Sequence, residues 1–505
     1  MLIQPPLEAF ASAYDAGQAQ VVSTTLVGDL ETPVSAYLKL AEGRANAFLF
    51  ESVEGGATRG RYSMIGLKPD LLWRSKGGAA EINQRAAADL EAFEPCSGRP
   101  LEALRALLAE SRIEVAPGLP PMSAGVFGYL GYDMVREMEE LPSPNPDALR
   151  VPDAILMRPT VMVVFDGVKD EITVVTPVRP EAGVTAAQAH ARAVDRLTEI
   201  VEGLDRPAPR EPATASGPEA GYALTSNTLP SEYEAMVLRA KEYIAAGDIF
   251  QVVLSQRFEA PFDLPAFALY RALRRTNPAP FLIHLDFGGF QIVGSSPEIL
   301  VRARDGKVTI RPIAGTRPRG ATPAQDRALS DELLADPKER AEHLMLLDLG
   351  RNDVGRVSEI GSVRVTDQFF LEYYSQVMHI VSNVEGRLKA DADALDALVA
   401  GFPAGTVSGA PKVRAMEIID ELEKDKRGVY AGCVGYFGAN GEMDTCIVLR
   451  TAVVKDGRIH VQAGAGVVAD SNPASEQAEC VNKAKALFRA AEEARRFANV
   501  GRRGQ

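Results

Sequence analysis

Alternating apolar and polar positions predict β-strands along much of the chain, with helical spacing between them. Residues 154–178 contain two β-branched runs joined by Asp166-Gly167, and this pattern predicts a β-hairpin. The helical apolar spacing that begins near residue 230 ends at Gly247, which predicts a glycine-capped helix followed by a strand.

Two later stretches, 281–310 and 430–464, predict consecutive antiparallel strands. Their predicted turns lie at Gly288-Gly289, Asp305-Gly306, Asn440-Gly441 and Asp456-Gly457. Strands and helices are segregated instead of alternating as βαβ units. The sequence therefore predicts an α+β fold in which layered antiparallel β-sheets are flanked by helices.

A shift in composition marks a seam between two parts of the chain. Residues 205–222 are rich in Pro, Ala, Gly and Ser, which predicts a linker or loose crossing. We therefore expect one domain over 1–204 and a second over 223–505.

Composition and charge narrow the classes of function. The 505 residues carry a formal net charge of −13, so a general nucleic-acid partner is not expected. No stretch is apolar enough to cross a bilayer, and no membrane partner is expected. Four cysteines without CxxC spacing fit a reducing cytoplasm. Five histidines, none paired at zinc-ligand spacing, make a zinc site improbable.

Two glycine-rich stretches superficially match nucleotide-binding motifs. In "GTVSGAPK", residues 405–412, the lysine does not directly follow the second glycine and no Ser or Thr comes after it. "GAGVVA", residues 464–469, is followed by "DSNP" where a helix should already have begun. Neither predicts a nucleotide site.

"KERAEHLMLLDLG", residues 338–350, predicts a helix that ends before Gly350. The expected buried side carries Leu344, Met345 and Leu347. A second helix is predicted to start at Pro473.

Each of these two helices carries a pair of glutamates three residues apart. The pairs are Glu339 with Glu342 and Glu476 with Glu479. Such a pair usually marks a solvated face. Both pairs adjoin glycine-rich or charged irregular sequence, and this raises the alternative of oxygen ligands for one hard cation, for which Mg²⁺ is the natural candidate.

Three further features bear on function, and two of them have alternative interpretations. His379 lies in an apolar strand-like run, where hydrogen-bonded packing is the commoner role and catalysis the alternative. Arg450 is predicted to interrupt a strand and needs a carboxylate from the protein or from a ligand. "RPIAGTRPRG", residues 311–320, predicts a basic loop with Ala314 at its centre.

Nine motifs in order across 229–491 resemble the chorismate-utilising enzymes, and within them the anthranilate synthase large subunits. The motifs are "GDIFQVVLSQRF", "GSSPE", "RPIAGTRPRG", "EHLMLLDLGRND", "MHIVSNVEG", "FPAGTVSGAPKVRAMEII", "DTCIVLRTAVV", "QAGAGVVADSNP" and "EQAECVNKAKA". The resemblance implies the chorismate-utilising enzyme fold, with 223–505 as the chorismate-binding catalytic domain. It also implies a Mg²⁺-dependent lyase that converts chorismate and ammonia to anthranilate and pyruvate, the first committed step of tryptophan biosynthesis.

The resemblance assigns roles to individual residues. The implied Mg²⁺ ligands are Glu342 and Glu479, supported by Glu339 and Glu476. The implied substrate-binding positions are Gly315, Thr316, Tyr430, Arg450, Gly464 and Gly466. The implied catalytic positions are Glu298, as the acid at the departing hydroxyl, with His379, Thr406 and Lys483.

Two positions separate this chain from other chorismate-utilising enzymes. Salicylate and isochorismate synthases carry a lysine at the position of Gln251, and aminodeoxychorismate synthases carry a lysine at the position of Ala314. Without these lysines, attack by water or by the protein is disfavoured and C2 stays open to ammonia. The competing hypotheses are an aminodeoxychorismate synthase and a non-catalytic tryptophan-sensing subunit.

The resemblance also implies partners and regulation. No cysteine lies in a Gly-Cys-x-Gly elbow, so we expect a separate glutamine amidotransferase subunit as ammonia source, in a hetero-oligomer. "FLFESVEGGATRGRYSMIG" resembles a tryptophan feedback site in the N-terminal domain. Its implied residues are Glu51, Ser52 and Arg61, with Pro280, Phe281 and Leu282 as the far wall.

Overall fold

Antiparallel strands dominate the computed structural model, which describes residues 1–41, 43–52, 60–209, 224–374 and 377–499. Within these ranges the strands are β1 Gln20–Val27, β2 Ala47–Glu51, β3 Tyr62–Lys76, β4 Ala79–Asn83, β5 Glu94–Pro95, β6 Gly125–Leu130, β7 Ala154–Asp166, β8 Glu171–Val178, β9 Thr225–Ser226, β10 Gln251–Pro261, β11 Phe281–Asp286, β12 Gln291–Ser296, β13 Ile299–Arg304, β14 Lys307–Ile310, β15 Ile313–Pro318, β16 Arg364–Tyr373, β17 Val377–Arg387, β18 Gly409–Ala410, β19 Cys433–Gly438, β20 Met443–Ile447, β21 Thr451–Lys455 and β22 Arg458–Val467. The helices are α1 Leu7–Asp15, α2 Pro33–Ala41, α3 Pro100–Glu110, α4 Ala186–Leu204, α5 Pro230–Ala246, α6 Ala266–Thr276, α7 Pro323–Ala335, α8 Pro337–Val357, α9 Ala394–Gly401, α10 Lys412–Leu422 and α11 Pro473–Asn499, with 3₁₀ turns at Tyr132–Glu137 and Gly405–Val407.

The strands form two series of antiparallel neighbours that meet at β7. One series runs from β7 through β3, β2, β11, β12, β21 and β22 to β10. The other runs from β7 through β6, β19, β20, β13 and β14 to β17, which also pairs with β15 and β16. Pairs form across the predicted seam, for instance β2 with β11 and β6 with β19.

An aromatic core lies between the two series. The ring of Phe48 on β2 stacks on Phe127 of β6 at 4.9 Å, and Phe127 stacks on Tyr436 of β19 at 5.4 Å. Helices pack on the outside of the sheets and bury side chains such as Leu197 of α4 and Leu487 of α11. Burial of such side chains is the main stabilising contribution to a layered fold. The predicted α+β class is confirmed.

Most predicted elements have the predicted form. β7 and β8 pair in register from Met162 opposite Val175 to Asp166 opposite Glu171, as a hairpin. Helix α5 ends at Gly247, whose φ of 85° is the left-handed conformation that glycine adopts most easily. The strands β11–β14 and β19–β22 occupy the two stretches where consecutive antiparallel strands were predicted.

The predicted end of α8 is wrong. The helix continues seven residues beyond Gly350 to Val357, because Gly350 is a packing residue and not a cap. A Cβ at this position would lie 3.2 Å from Cγ of Pro312, so the glycine lets the helix approach the strand segment closely.

The predicted buried face of α8 is also partly wrong. Leu347 is buried as expected, but Leu344 is 56% exposed and Met345 is only half-buried. The buried stripe instead follows the helical repeat His343, Leu346, Leu347, Gly350, Asp353, Val354 and Val357.

The predicted linker, 205–222, falls largely on 210–223, outside those residues, and the division into 1–204 and 223–505 stays a prediction. Among the described helices, none is both long enough and apolar enough to cross a membrane.

Candidate active site

Glu298 lies between β12 and β13 and is 4% exposed. Its carboxyl accepts a hydrogen bond from Thr406 Oγ1 at 2.8 Å and another from the backbone N–H of Ile313. Burial outweighs both bonds and the nearby charge of Arg450, and it raises the pKa of Glu298 to about 8. The carboxyl is therefore protonated at neutral pH and has a proton to donate.

His379 lies on β17 with its ring against β15. Its Nδ1 is 2.8 Å from the carbonyl oxygen of Gly315 and 3.1 Å from Oγ1 of Thr316. Because a carbonyl oxygen only accepts, the proton is assigned to Nδ1. Nε2 is buried with no hydrogen-bond partner among the described residues, and burial lowers the pKa of His379 to about 4. The ring is a neutral acceptor at physiological pH.

A β-bulge places Gly315 at this site. The register of β15 against β17 shifts between Ala314 and Thr316, and Gly315 has a φ of 67°. The stretch predicted as a loop is thus a strand over its central residues, because the bulge absorbs the glycine. A Cβ on Gly315 would lie 3.2 Å from Oε2 of Glu339, which shows how closely α8 approaches the bulge.

The arginines of 311–320 bind carboxylates of the protein itself. Their ion pairs are Arg311–Glu372 at 2.5 Å, Arg317–Asp336 at 2.8 Å, Arg317–Glu339 at 3.1 Å, Arg317–Glu332 at 3.2 Å and Arg319–Asp326 at 2.7 Å. These ion pairs connect β15 and the residues that flank it to β16, α7 and α8. The basic character of the segment therefore serves packing around the site.

The two predicted glutamate pairs converge from α8 and α11. Burial raises the pKa of Glu342, and the negative charges of Glu339 and Glu479 raise it further. Burial also raises the pKa of Glu476, with Glu479 adding to the effect. The two helices thus bring all four carboxylates within range of mutual repulsion.

Neutral and cationic groups bind two of these carboxylates directly. Nε2 of Gln251 donates to Oε1 of Glu342 at 3.0 Å, and Nζ of Lys483 lies 2.7 Å from Oε1 of Glu479. Within the described ranges, no three His, Cys, Asp or Glu side chains are arranged so that they could hold a metal ion by themselves.

Tyr430 and two glycines of β22 form a narrow wall. A Cβ on Gly464 would lie 2.9 Å from the hydroxyl of Tyr430, and one on Gly466 would lie 2.8 Å from Nε2 of Gln251. Lys483 Nζ donates to the carbonyl oxygen of Gly464 at 2.9 Å. The missing side chains let Tyr430 and Gln251 pack directly against the backbone of β22.

Arg450 lies at the break between β20 and β21 and so interrupts the strand-like run, as the sequence predicted. Its φ of 47° is left-handed, and the chain turns there because the two strands pair with different neighbours. Burial lowers the pKa of Arg450, and the nearby ionisable groups of Tyr374 and Glu298 act in the opposite direction. The guanidinium thus lies in a buried environment near Glu298.

The six residues predicted for a tryptophan site line one cavity of about 350 Å³. Glu51 is buried and accepts hydrogen bonds from Tyr270 and from Arg274 at 2.9 Å. Arg61 pairs with Asp166 at 2.6 Å. Pro280, Phe281 and Leu282 line the same cavity as Ser52, and Leu282 of β11 pairs with Glu51 of β2. Residues 53–59 of the predicted segment lie outside the described residues.

Sequence reasoning missed two buried residues at the site. Arg427 is 2% exposed, pairs with Glu423 at 2.5 Å and lies 5.6 Å from the ring centre of Tyr430. Its surroundings, "EKDKRG", resemble a solvated charge run, which gave no signal of burial. Tyr374 packs on His379 with ring centres 5.5 Å apart, and a lone tyrosine carries no spacing signal.

The chain is similar to known chorismate binding enzymes. Residues 63–489 match the family model of chorismate binding enzymes. Anthranilate synthase component 1 of Cereibacter sphaeroides is 60% identical over 491 residues, which cover 97% of this chain and 98% of that protein. The protein of the same name from Pseudomonas putida is 51% identical over 468 residues, covering 92% and 93%.

A solved structure agrees with the sequence comparison. The crystal structure of anthranilate synthase component I from Streptococcus pneumoniae is similar with a TM-score of 0.74 and 37% sequence identity. The similarity covers 92% of this chain and 98% of that chain.

Proposed function

Because the chain belongs to the chorismate-binding enzyme family and is an enzyme of the anthranilate synthase type, we propose that its site converts chorismate and ammonia to anthranilate and pyruvate. The observation that carries the proposal is the convergence of a protonated Glu298, a neutral His379 and Arg450 at one site. The residues that could supply a competing nucleophile are absent, since Ala314 and Gln251 stand where other family members carry lysines.

Substrate binding follows from the charges of chorismate, a dianion with a ring carboxylate and an enolpyruvyl carboxylate. Arg450 binds the enolpyruvyl carboxylate, assisted by the hydroxyl of Tyr430 and the backbone at Gly466. Gly464, Gly315 and Thr316 line the ring.

Proton transfer accompanies the cleavage of the C4–O bond and of the C3–O bond. Ammonia adds at C2, both ring double bonds shift by one position, and the C4–O bond breaks as Glu298 donates its proton, so that water leaves. His379 Nε2 accepts a hydrogen bond from the departing hydroxyl and keeps it oriented. Loss of the C2 proton and cleavage of the C3–O bond then leave the aromatic ring, and the released enolpyruvate takes up a proton at its methylene carbon to become pyruvate. Thr406 holds the acid in place through its 2.8 Å bond.

The carboxylate set fits a Mg²⁺ ion. Mg²⁺ is usually bound by one or two protein carboxylates, with waters and substrate oxygens completing the octahedron. Glu342 and Glu479 would hold it, with Glu339 and Glu476 as supporting groups, and a cation there would relieve the repulsion that raises the pKa of Glu342. When bound, the ion neutralises the ring carboxylate of the substrate. Lys483 ties Glu479 to the wall at Gly464.

Ammonia must come from outside this chain. Cys433 and Cys480 are buried, and burial raises the pKa of each thiol to about 12. Neither is therefore suited to form the thiolate that glutamine hydrolysis needs. We infer a partner glutamine amidotransferase, and we expect glutamine to support turnover only when that subunit is added, whereas ammonium alone suffices for this chain.

The cavity that Ser52 and Phe281 line supports feedback inhibition by tryptophan. Its volume of about 350 Å³ suits a ligand the size of an amino acid. Since tryptophan is the end product of the route that begins with anthranilate, its binding here would inhibit the first step of its own synthesis.

Fluorescence of anthranilate tests the proposed activity. The purified chain, supplied with chorismate, Mg²⁺ and ammonium, should produce it, and Glu298→Gln should lower kcat by about 10²–10⁴-fold because the acid is removed. Aminodeoxychorismate as the sole product would favour the competing synthase. Binding of tryptophan without any turnover would favour a sensing subunit.

A further inference from the structure

The proposed regulatory cavity and the catalytic site share a wall. Pro297 and Ile299, which line the cavity, directly flank Glu298 in the chain. Arg311 and Tyr374 line the same cavity. A molecule bound in the cavity would therefore lie one layer of residues away from the proposed acid.

Tyr374 reaches both sites. It is 9% exposed, and its backbone N–H donates to the carbonyl oxygen of Val377 at 2.8 Å, which fixes it beside the start of β17. Its ring meets the ring of His379 edge to face, with centres 5.5 Å apart and planes at 63°. The orientation of the imidazole thus depends on where this tyrosine ring lies.

A buried carboxylate connects Tyr374 to the cavity. The hydroxyl of Tyr374 donates to Oε2 of Glu372 at 2.8 Å, and Nη2 of Arg311 donates to Oε1 of the same carboxylate at 2.5 Å. The side chains of Arg311 and Glu372 are each 13% exposed. Charge-assisted hydrogen bonds between side chains with so little exposure are strong, so movement of one partner displaces the other.

We propose that Tyr374 is a positioning residue for His379, and that it relays the occupancy of the cavity to chorismate binding. The inference rests on the proposed function, because it takes tryptophan as the occupant and chorismate as the substrate. A ligand carboxylate that draws Arg311 into the cavity weakens its bond to Glu372. Glu372 then holds Tyr374 differently, and the tyrosine ring shifts against His379.

Thermodynamic linkage means that the coupling between tryptophan binding and chorismate binding is the quantity to measure. If tryptophan weakens chorismate binding by some factor, chorismate weakens tryptophan binding by the same factor. A relay residue changes that coupling factor, whereas a residue that serves only as cavity wall changes tryptophan affinity alone. A merely structural residue would lower stability without changing the coupling selectively.

Tyr374→Phe tests the relay, because it keeps the ring on His379 and removes the hydroxyl that binds Glu372. Tyr373→Phe is the matched control. Tyr373 is the neighbouring residue, it is 50% exposed, and its hydroxyl lies 3.1 Å from Ser330 and away from the cavity. For each protein, calorimetry gives the Kd of tryptophan, and kinetics at rising tryptophan concentration give the ratio of chorismate KM values with and without saturating tryptophan.

We expect Tyr374→Phe to reduce that ratio by about fivefold or more, with tryptophan Kd within about threefold of wild type. Tyr373→Phe should keep the wild-type ratio. An unchanged ratio in Tyr374→Phe would overturn the relay, and so would a loss of tryptophan binding, since Tyr374 would then be only a binding residue.

A second readout needs no tryptophan. Tyr374→Leu removes the ring, and it should raise chorismate KM by about tenfold while Tyr374→Phe raises it less. Equal KM values in Tyr374→Leu and wild type would overturn the positioning role. Failure of the proposed function is distinguishable, because wild-type protein would then form no anthranilate or release no heat with tryptophan.

Discussion

Glu298 and His379 are both buried, and burial moves their pKa values in opposite directions. The carboxylic acid stays protonated up to about pH 8, and the imidazole stays neutral down to about pH 4. Activity that depends on this pair should therefore fall as pH rises through about 8 and as pH drops through about 4.

Replacement of Thr406 by Val tests the upper limit. The hydroxyl of Thr406 lowers the pKa of Glu298, so its removal should shift the alkaline limb of the kcat/KM profile to higher pH. The profile should be measured with the concentration of free ammonia held constant at every pH. An alkaline limb at the same pH in both proteins would mean that another group titrates there.

A second prediction concerns the glutamates. Glu342→Gln removes one carboxylate from the proposed ion site, and the Mg²⁺ concentration for half-maximal activity should rise about 10–100-fold or more. Calorimetric titration with Mg²⁺ gives the affinity independently of turnover. Asp348→Asn, on the exposed side of the same helix, is the control and should match wild type. Equal Mg²⁺ affinity in Glu342→Gln would remove this residue from the site.

The candidate residues could be named from the sequence because their motifs resemble a known family. Their contacts could not. Nothing in the sequence shows that Gln251 binds Glu342 or that Arg317 holds Glu339, because these pairs join residues far apart in the chain. The ambiguity of His379 was also physical, since burial alone does not distinguish a packed imidazole from a reactive one.

At the scale of elements, the sequence predicts the positions of hairpins well, but it predicts the structural roles of Gly350 and Gly315 poorly. Asp-Gly and Asn-Gly turns have a backbone requirement that the residues themselves reveal. Gly350 gave the wrong helix end because a glycine that ends a helix and a glycine that packs against Pro312 look alike in sequence. The strand β15 was missed for a similar reason, since its bulge at Gly315 resembles a turn.

Two glycines of α8 provide a paired test. Gly355→Ala meets nothing within 4 Å and should stabilise the protein by up to about 1 kcal/mol through helix propensity. Gly350→Ala has the same propensity gain but places its Cβ 3.2 Å from Pro312, so it should gain less or lose stability. Thermal midpoints of the two variants, compared with wild type, check the difference. Equal stabilisation by both would refute the packing role of Gly350.

In the whole molecule, strand β2 precedes the predicted linker and strand β11 follows it. Their pairing brings residues from both sides of the linker around one cavity. Ser52→Phe should fill part of that cavity and weaken tryptophan inhibition by about tenfold or more, with turnover largely retained. Ser143→Phe, at an exposed position outside the cavity lining, is the control. Inhibition constants for tryptophan provide the measurement, and an unchanged constant in Ser52→Phe would place the inhibitor elsewhere.

The chemistry of the whole site is tested most directly by isotope labelling. Chorismate, Mg²⁺ and ¹⁵N-ammonium are incubated with the purified chain, and the products are identified by mass spectrometry. The account predicts ¹⁵N-anthranilate and pyruvate in equal amounts. Isochorismate, salicylate or labelled aminodeoxychorismate as the main product would contradict it.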